Sequence, residues 1–168
     1  MGKNVKLCLI GSARWGKDSL AEIFNEQFGL KYTSSSEACA DIFIYDKLKD
    51  LYGYTSVKEC FNDRFKHRAE WFNLISEYNK DDKARLAKEI MKNNDIYVGM
   101  RSRDEIEECL RQNVFNLVIW VDGSKRLPFE SKDSFDIDSL CADIIIENND
   151  TYENFKRRAI NLGNLLFK

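Results

Sequence analysis

Val5-Lys6-Leu7-Cys8-Leu9-Ile10-Gly11-Ser12-Ala13-Arg14-Trp15-Gly16-Lys17-Asp18-Ser19 is an apolar run, a glycine-flanked turn and a lysine in direct succession. The run from Val5 to Ile10 suits a buried parallel strand, since near-continuous hydrophobicity fits a strand covered on both faces. Gly11, Gly16 and Lys17 satisfy the spacing G-x4-G-K of a phosphate-binding loop. Downstream, Leu20, Ile23, Phe24 and Phe28 recur at helical spacing, and Gly29 offers a C-cap. A strand, then this loop, then a helix is the context that gives the pattern physical meaning. Glycines let the backbone bend round a triphosphate, the helix N-terminus adds positive potential, and Lys17 brings a mobile charge to the terminal phosphates. Gly11, Ser12, Ala13, Arg14, Trp15, Gly16, Lys17, Asp18 and Ser19 are therefore the candidate ATP contacts, with Arg14 and Trp15 read as exposed loop positions. Asp18 stands where the motif usually carries a magnesium-binding hydroxyl. A carboxylate binds the same hard ion, so Asp18 is the candidate metal ligand, against the plainer role of an acid at a helix start.

Working outward, Lys31–Thr33 reads as a short strand and Ser34, Ser35 and Ser36 as possible caps for a helix over 37–51. Helical spacing continues over 63–78 and 81–92. Residues 95–99 and 116–121 read as buried strands, with a helix over 103–111 between them. From Asp122 to Asp138 the apolar pattern lapses around Pro128, which predicts a mobile, lid-like loop. A strand at 143–146 and a helix over 151–167 close the chain. Strands alternating with helices predict an α/β fold: a doubly wound parallel sheet of about five strands with helices on both faces and ligands beyond the strands' carboxyl ends. One domain spans 1–168, with a helical insert at about 36–93 and the lid at about 122–138.

At 168 residues and a net charge of −2, the chain is long enough for one core and lacks the positive field of a dedicated duplex-DNA binder. Five scattered cysteines without ligand spacing read as reduced thiols rather than a disulfide frame or zinc site. No stretch has the length of a membrane span and the start resembles no cleavable signal, so a cytoplasmic location is expected.

With its GKDS loop, the segment Tyr97-Val98-Gly99-Met100-Arg101-Ser102-Arg103-Asp104-Glu105 and the ending Asp143-Ile144-Ile145-Ile146-Glu147-Asn148-Asn149-Asp150-Thr151, the chain resembles phage-type deoxynucleoside monophosphate kinases of the P-loop kinase superfamily. The resemblance implies that Arg101 holds the acceptor phosphate, a role a guanidinium fork suits physically. Many such kinases carry Asp where Gly99 stands, which leaves magnesium to Asp18 or to an acid such as Asp122. Arg64 and Arg68, four apart with His67 beside Arg64, suit an anionic acceptor if they share a helix face. Their plainer reading is a solvated basic face. His67 reads as structural or substrate-positioning, Trp71 and Phe72 as core more often than as stacking platforms, and Ser35 and Asp41 as residues near the acceptor loop. In the lid, Lys125, Arg126 and Lys132 can close over phosphates, Arg126 being the one selected as catalytic with Lys17 and Arg101. Asn148 is read as a nucleotide contact and Thr151 as either that or a plain cap.

Three functions fit these residues. The first is ATP- and magnesium-dependent phosphoryl transfer to a deoxynucleoside monophosphate, which needs no protein base. The second is phosphorylation of a hydroxyl, such as a hydroxymethylpyrimidine base in DNA, with Asp41 or Asp63 as base. The third is nucleotide binding without turnover. Small-molecule nucleotides are the expected partners, DNA an acceptor only in the second reading, and a homodimer is compatible with all three.

Overall fold

The computed structural model describes residues 5–130 and 135–168. Among these, β1 (Leu7–Ile10) feeds α1 (Lys17–Phe28), and β2 (Tyr32–Ser34) feeds α2 (Ser35–Cys39), which runs through a π-helical stretch at Ala40–Ile44 into α3 (Tyr45–Tyr52). Helices α4 (Val57–Asp63), α5 (Arg68–Tyr78) and α6 (Arg85–Met91) precede β3 (Ile96–Val98) and α7 (Arg103–Arg111). The chain then forms β4 (Leu117–Asp122), β5 (Ile144–Glu147) and α8 (Tyr152–Phe167). The strands make one parallel sheet in the order β2-β3-β1-β4-β5, as the alternation of strands and helices predicts.

Strand β1 is central, and all four of its residues are fully buried. Because side chains alternate across a strand, it divides the core. Leu7 and Leu9 join Leu20, Ile23 and Phe24 of α1 and Phe155 and Ala159 of α8. Cys8 and Ile10 face the opposite layer, where Ile44, Leu48, Trp71, Leu86 and Ile90 come from the insert. The carboxyl ends of β1, β3 and β4 lie side by side, with Leu9 paired to both Val98 and Ile119, and the loops that leave these three ends form the site.

Several local expectations hold in detail. Gly29 takes a left-handed conformation and its N–H donates to Asn25 O, ending α1. Ser34 caps α2 and Thr151 caps α8. The single helix expected over 63–78 is divided. α4 ends at Asp63, a 3-10 turn covers Arg64–Lys66, and the chain breaks at His67 before α5. Asp63 causes this, since its carboxylate accepts from Tyr54 Oη (2.9 Å) and contacts Lys66 Nζ (2.5 Å) and His67 Nε2 (3.2 Å), local bonds that compete with helical ones. Arg64 and Arg68 therefore do not share one α-helical face, although both guanidinium groups lie over the Phe65 ring. Of the described residues in the expected lid, Phe129 packs on Trp15, and Phe135 and Ile137 are buried in the insert-side core. Lys132 lies outside the described residues.

Helices α1 and α8 meet where Gly163 faces Phe28, whose ring is packed edge-on against Phe24 and Phe167. A Cβ at position 163 would sit 2.1 Å from Phe28 Cε2. Helix propensity favours Gly163→Ala by about 1 kcal/mol, but overpacking typically costs about 1–3 kcal/mol. The clash wins, and thermal melting of Gly163→Ala is expected to show a lower Tm than the parent.

Candidate active site

The turn from β1 into α1 is held by partners that arrive from the far end of the chain. Gly16 has φ 107°, and a Cβ there would stand 2.4 Å from Asn148 Nδ2. This close approach lets Asn148 Nδ2 donate to Trp15 O at 2.8 Å, bracing the loop from the end of β5. Trp15 is fully buried, contrary to its reading as an exposed loop position. Its ring packs edge-on against Trp120 (centroids 5.8 Å apart) and Phe129 (4.7 Å), so burial of a large aromatic surface anchors the loop. Arg14 is exposed at φ 61°, and Asp18 and Ser19 open α1, Asp18 exposed in the first turn.

Lys17 Nζ donates to Gly11 O and Ser12 O, both at 2.7 Å. Burial, and then the neighbouring Arg101 charge, lower its pKa from the usual lysine range to about 8, against the pull of Glu130 and Asp18. Glu130 is the unforeseen member of this group. One of its carboxylate oxygens accepts from the Ala13 amide (2.9 Å) and the other from Arg101 Nη1 (2.5 Å), while its own N–H donates to the buried Ser12 Oγ (3.1 Å). A carboxylate is thus gripped by the loop amide and by the arginine that follows β3, which shows that this concavity accommodates an anion. An acid 113 positions from Lys17 carries no motif that would have marked it in the sequence.

Behind Arg101 lies a cavity of about 260 Å³. Ser35 and Cys39 line one side, Phe72, Ile75 and Leu86 another, and Tyr97, Met100, Glu105 and Phe135 close it. The Ser35 hydroxyl is bonded to Tyr97. Gly99 turns this rim at φ 94°, a conformation that residues with a Cβ rarely adopt. Burial raises the Glu105 carboxyl above its ordinary range, partly opposed by a hydrogen bond from Asn79 and by the Lys83 charge. Phe72 is 59% exposed and faces this cavity, contrary to its reading as core, whereas Trp71 is buried in the insert. The helical period that puts Trp71 inward turns Phe72 outward by about 100°.

Other expected site residues lie elsewhere. Asp41 is on the π-helical stretch and lines a separate groove with Thr33, Glu37 and Asn93. Asp63 and His67 serve the helix break, with His67 also against the Tyr52 ring. Arg64 donates to Phe61 O, and neither it nor Arg68 lines the cavity. Asp122 accepts from Ser124 N–H and Asn149 Nδ2, which occupies it with the turn after β4. Arg126 Nε donates to Asn148 O, beside the Trp15 end of the loop rather than with Arg101. Among the described residues no group of three His, Cys, Asp or Glu side chains gathers to hold a metal, and no helix is long and apolar enough to cross a membrane. The five cysteines are free, four of them buried.

Two outcomes follow from the Lys17 and Glu130 geometry. Lys17 must be charged to hold a phosphate, and its proton is lost as pH rises through about 8. kcat/KM for ATP, which reports the free enzyme, is therefore expected to be flat below that pH and to fall about tenfold per unit above it in a pH-rate profile. An incoming phosphate must displace Glu130 from Ala13 N–H and Arg101. Glu130→Ala is accordingly expected to tighten ATP binding about three- to tenfold in isothermal titration, against the opposite result if Glu130 assists binding.

No protein-family model and no curated protein matches this sequence. Among solved structures, dephospho-CoA kinase from Campylobacter jejuni superposes with a TM-score of 0.55 at 14% identity, covering 96% of this chain and 97% of that one. Shikimate kinase from Bacteroides thetaiotaomicron gives 0.53 at 10% identity, over 96% and 98% of the two chains. A gluconokinase from Sinorhizobium meliloti 1021 gives 0.52 at 12%, over 99% and 95%. These likenesses extend over whole chains at low identity, and they show that the five-stranded parallel sheet with its flanking helices is the P-loop kinase fold.

Proposed function

We propose that this chain transfers the γ-phosphoryl group of ATP to the phosphate of a deoxynucleoside monophosphate. One observation carries the reading: a single carboxylate, Glu130, is shared between the Ala13 amide of the phosphate loop and Arg101. Two anions held by those same donors would stand adjacent, which is what phosphoryl transfer between phosphates requires. An oxygen of the acceptor phosphate attacks the γ-phosphorus, the bond to the bridging oxygen breaks, and ADP departs. Lys17 and Arg101 neutralise charge on the donor and acceptor sides, and no protein base is needed because the acceptor oxygen is already ionised. Binding of Glu130 by the loop amide supports the fit of a phosphate to this cradle. Magnesium, when bound, would neutralise phosphate charge, and Asp18, exposed in the first turn of α1, is the residue proposed to hold it directly or through water.

A second reading, transfer to a hydroxyl, draws on the carboxylates that line the cavity, Glu105 and Asp136, either of which could serve as the base such an acceptor needs. The two are separated by a coupled assay with labelled ATP across deoxynucleoside monophosphates, including modified pyrimidines, and hydroxymethylated DNA. The expected result is a deoxynucleoside diphosphate and ADP. Arg101→Ala is expected to lower kcat/KM for the acceptor at least 100-fold while changing ATP affinity less than threefold. Turnover with DNA alone favours the hydroxyl reading, and ATP binding without product from any acceptor rejects both.

A further inference from the structure

We propose that Glu105 reads the base of the acceptor by accepting a hydrogen bond from an exocyclic amino group, so that the cavity selects amino-bearing bases over their carbonyl counterparts. This rests on the reading of a nucleoside monophosphate as acceptor.

The transfer chemistry leaves Glu105 without a role, yet its carboxyl lies at a cavity whose apolar walls are Phe72, Ile75, Leu86, Met100 and Phe135; the other carboxylate on its lining, Asp136, is engaged through Oδ1 by the Arg103 N–H. Arg101 is at the same cavity and four residues earlier, so a ligand whose phosphate rests on Arg101 can extend an attached ring between these apolar walls toward Glu105. The volume of about 260 Å³ lies below the usual range for drug-sized ligands and suits a single planar ring system.

Asn79 holds Glu105 in a defined orientation. It is only 2% exposed; its Oδ1 accepts from Leu86 N–H and its Nδ2 donates to Glu105 Oε1, both at 3.0 Å. Because the Leu86 amide can only donate, the Asn79 side chain cannot be turned round, and Glu105 is kept as an acceptor. Its Oε2 has no hydrogen-bond partner among the described residues. A half-buried carboxylate with an open oxygen beside apolar walls favours a ligand N–H and disfavours a carbonyl oxygen, which would face it with like partial charge. Sites built to bond a ligand N–H discriminate strongly against the analogue that lacks it.

The test compares two matched pairs at pH 8, chosen to favour the carboxylate form. Deoxycytidine and deoxyuridine monophosphates differ in an amino group against a carbonyl on a pyrimidine; deoxyadenosine and deoxyinosine monophosphates differ likewise on a purine. The parent is expected to show at least a tenfold higher kcat/KM for the amino member of the pair it uses better. Glu105→Gln, whose amide can also donate, is expected to bring that ratio within threefold of unity while ATP affinity and the circular dichroism spectrum stay unchanged. A purely structural Glu105 would lower both members equally. An unchanged ratio in Glu105→Gln, or a parent ratio near one with brisk turnover, overturns the assignment of Glu105 alone. Absence of turnover with every monophosphate overturns the acceptor reading and this inference with it.

Discussion

Burial of β1 on both faces is the constraint from which the rest of the structure follows. A strand with Leu7, Cys8, Leu9 and Ile10 all fully buried must be central, so other strands flank it and helices cover it above and below. Its carboxyl end is then the one place where the chain can leave the core, and the Gly11–Gly16 turn emerges there between the ends of β3 and β4. Everything brought to the site, Arg101 after β3, Phe129 and Glu130 beyond β4, Asn148 after β5, is carried by loops that leave the same edge of the sheet.

The loop itself is shaped by two unlike forces. Its backbone is positioned by polar bonds, Asn148 Nδ2 to Trp15 O and the Ala13 amide to Glu130, whereas its depth is set by the apolar side chain of Trp15 wedged against Trp120 and Phe129. The consequence for charge is direct. Arg101 is close enough to disfavour the positive charge of Lys17, and burial of Lys17 removes the water that would screen it. Glu130 relieves this locally, and an anionic ligand would do so in its stead. The site is therefore electrostatically prepared for negative charge before any ligand enters it.

The elements were legible wherever the signal is local. The phosphate loop, the Gly29 cap, the Thr151 cap and the buried strands are each written in contiguous residues, because covalent neighbours determine backbone period and capping. α4 was missed although Ser56 and Glu59 flank its start as N-cap and third residue, a pairing that could have marked it. The division of the helix at His67 was not legible, because it depends on Asp63 gathering Tyr54, Lys66 and His67, and Tyr54 lies outside the helical window. Asp41, read as near the acceptor loop, lies on the π-helical stretch and lines another groove, while Phe72, read as core, stands one helical step from buried Trp71 and faces the cavity; which of two adjacent aromatics turns inward is decided by what packs against the helix.

By itself the sequence determined that a phosphate-binding turn follows a buried strand and opens a helix, that strands and helices alternate, and that Arg101 follows a strand on the same edge, since each is a relation between near neighbours. Only the tertiary structure decided that Trp15 is an anchor, that Glu130 lies against the loop amide and Arg101, and that Glu105, steadied by Asn79, faces the cavity behind them. Those contacts join residues from 26 to more than a hundred positions apart. They exist because the sheet order brings separate strand ends together, and packing rather than sequence proximity selects what meets there.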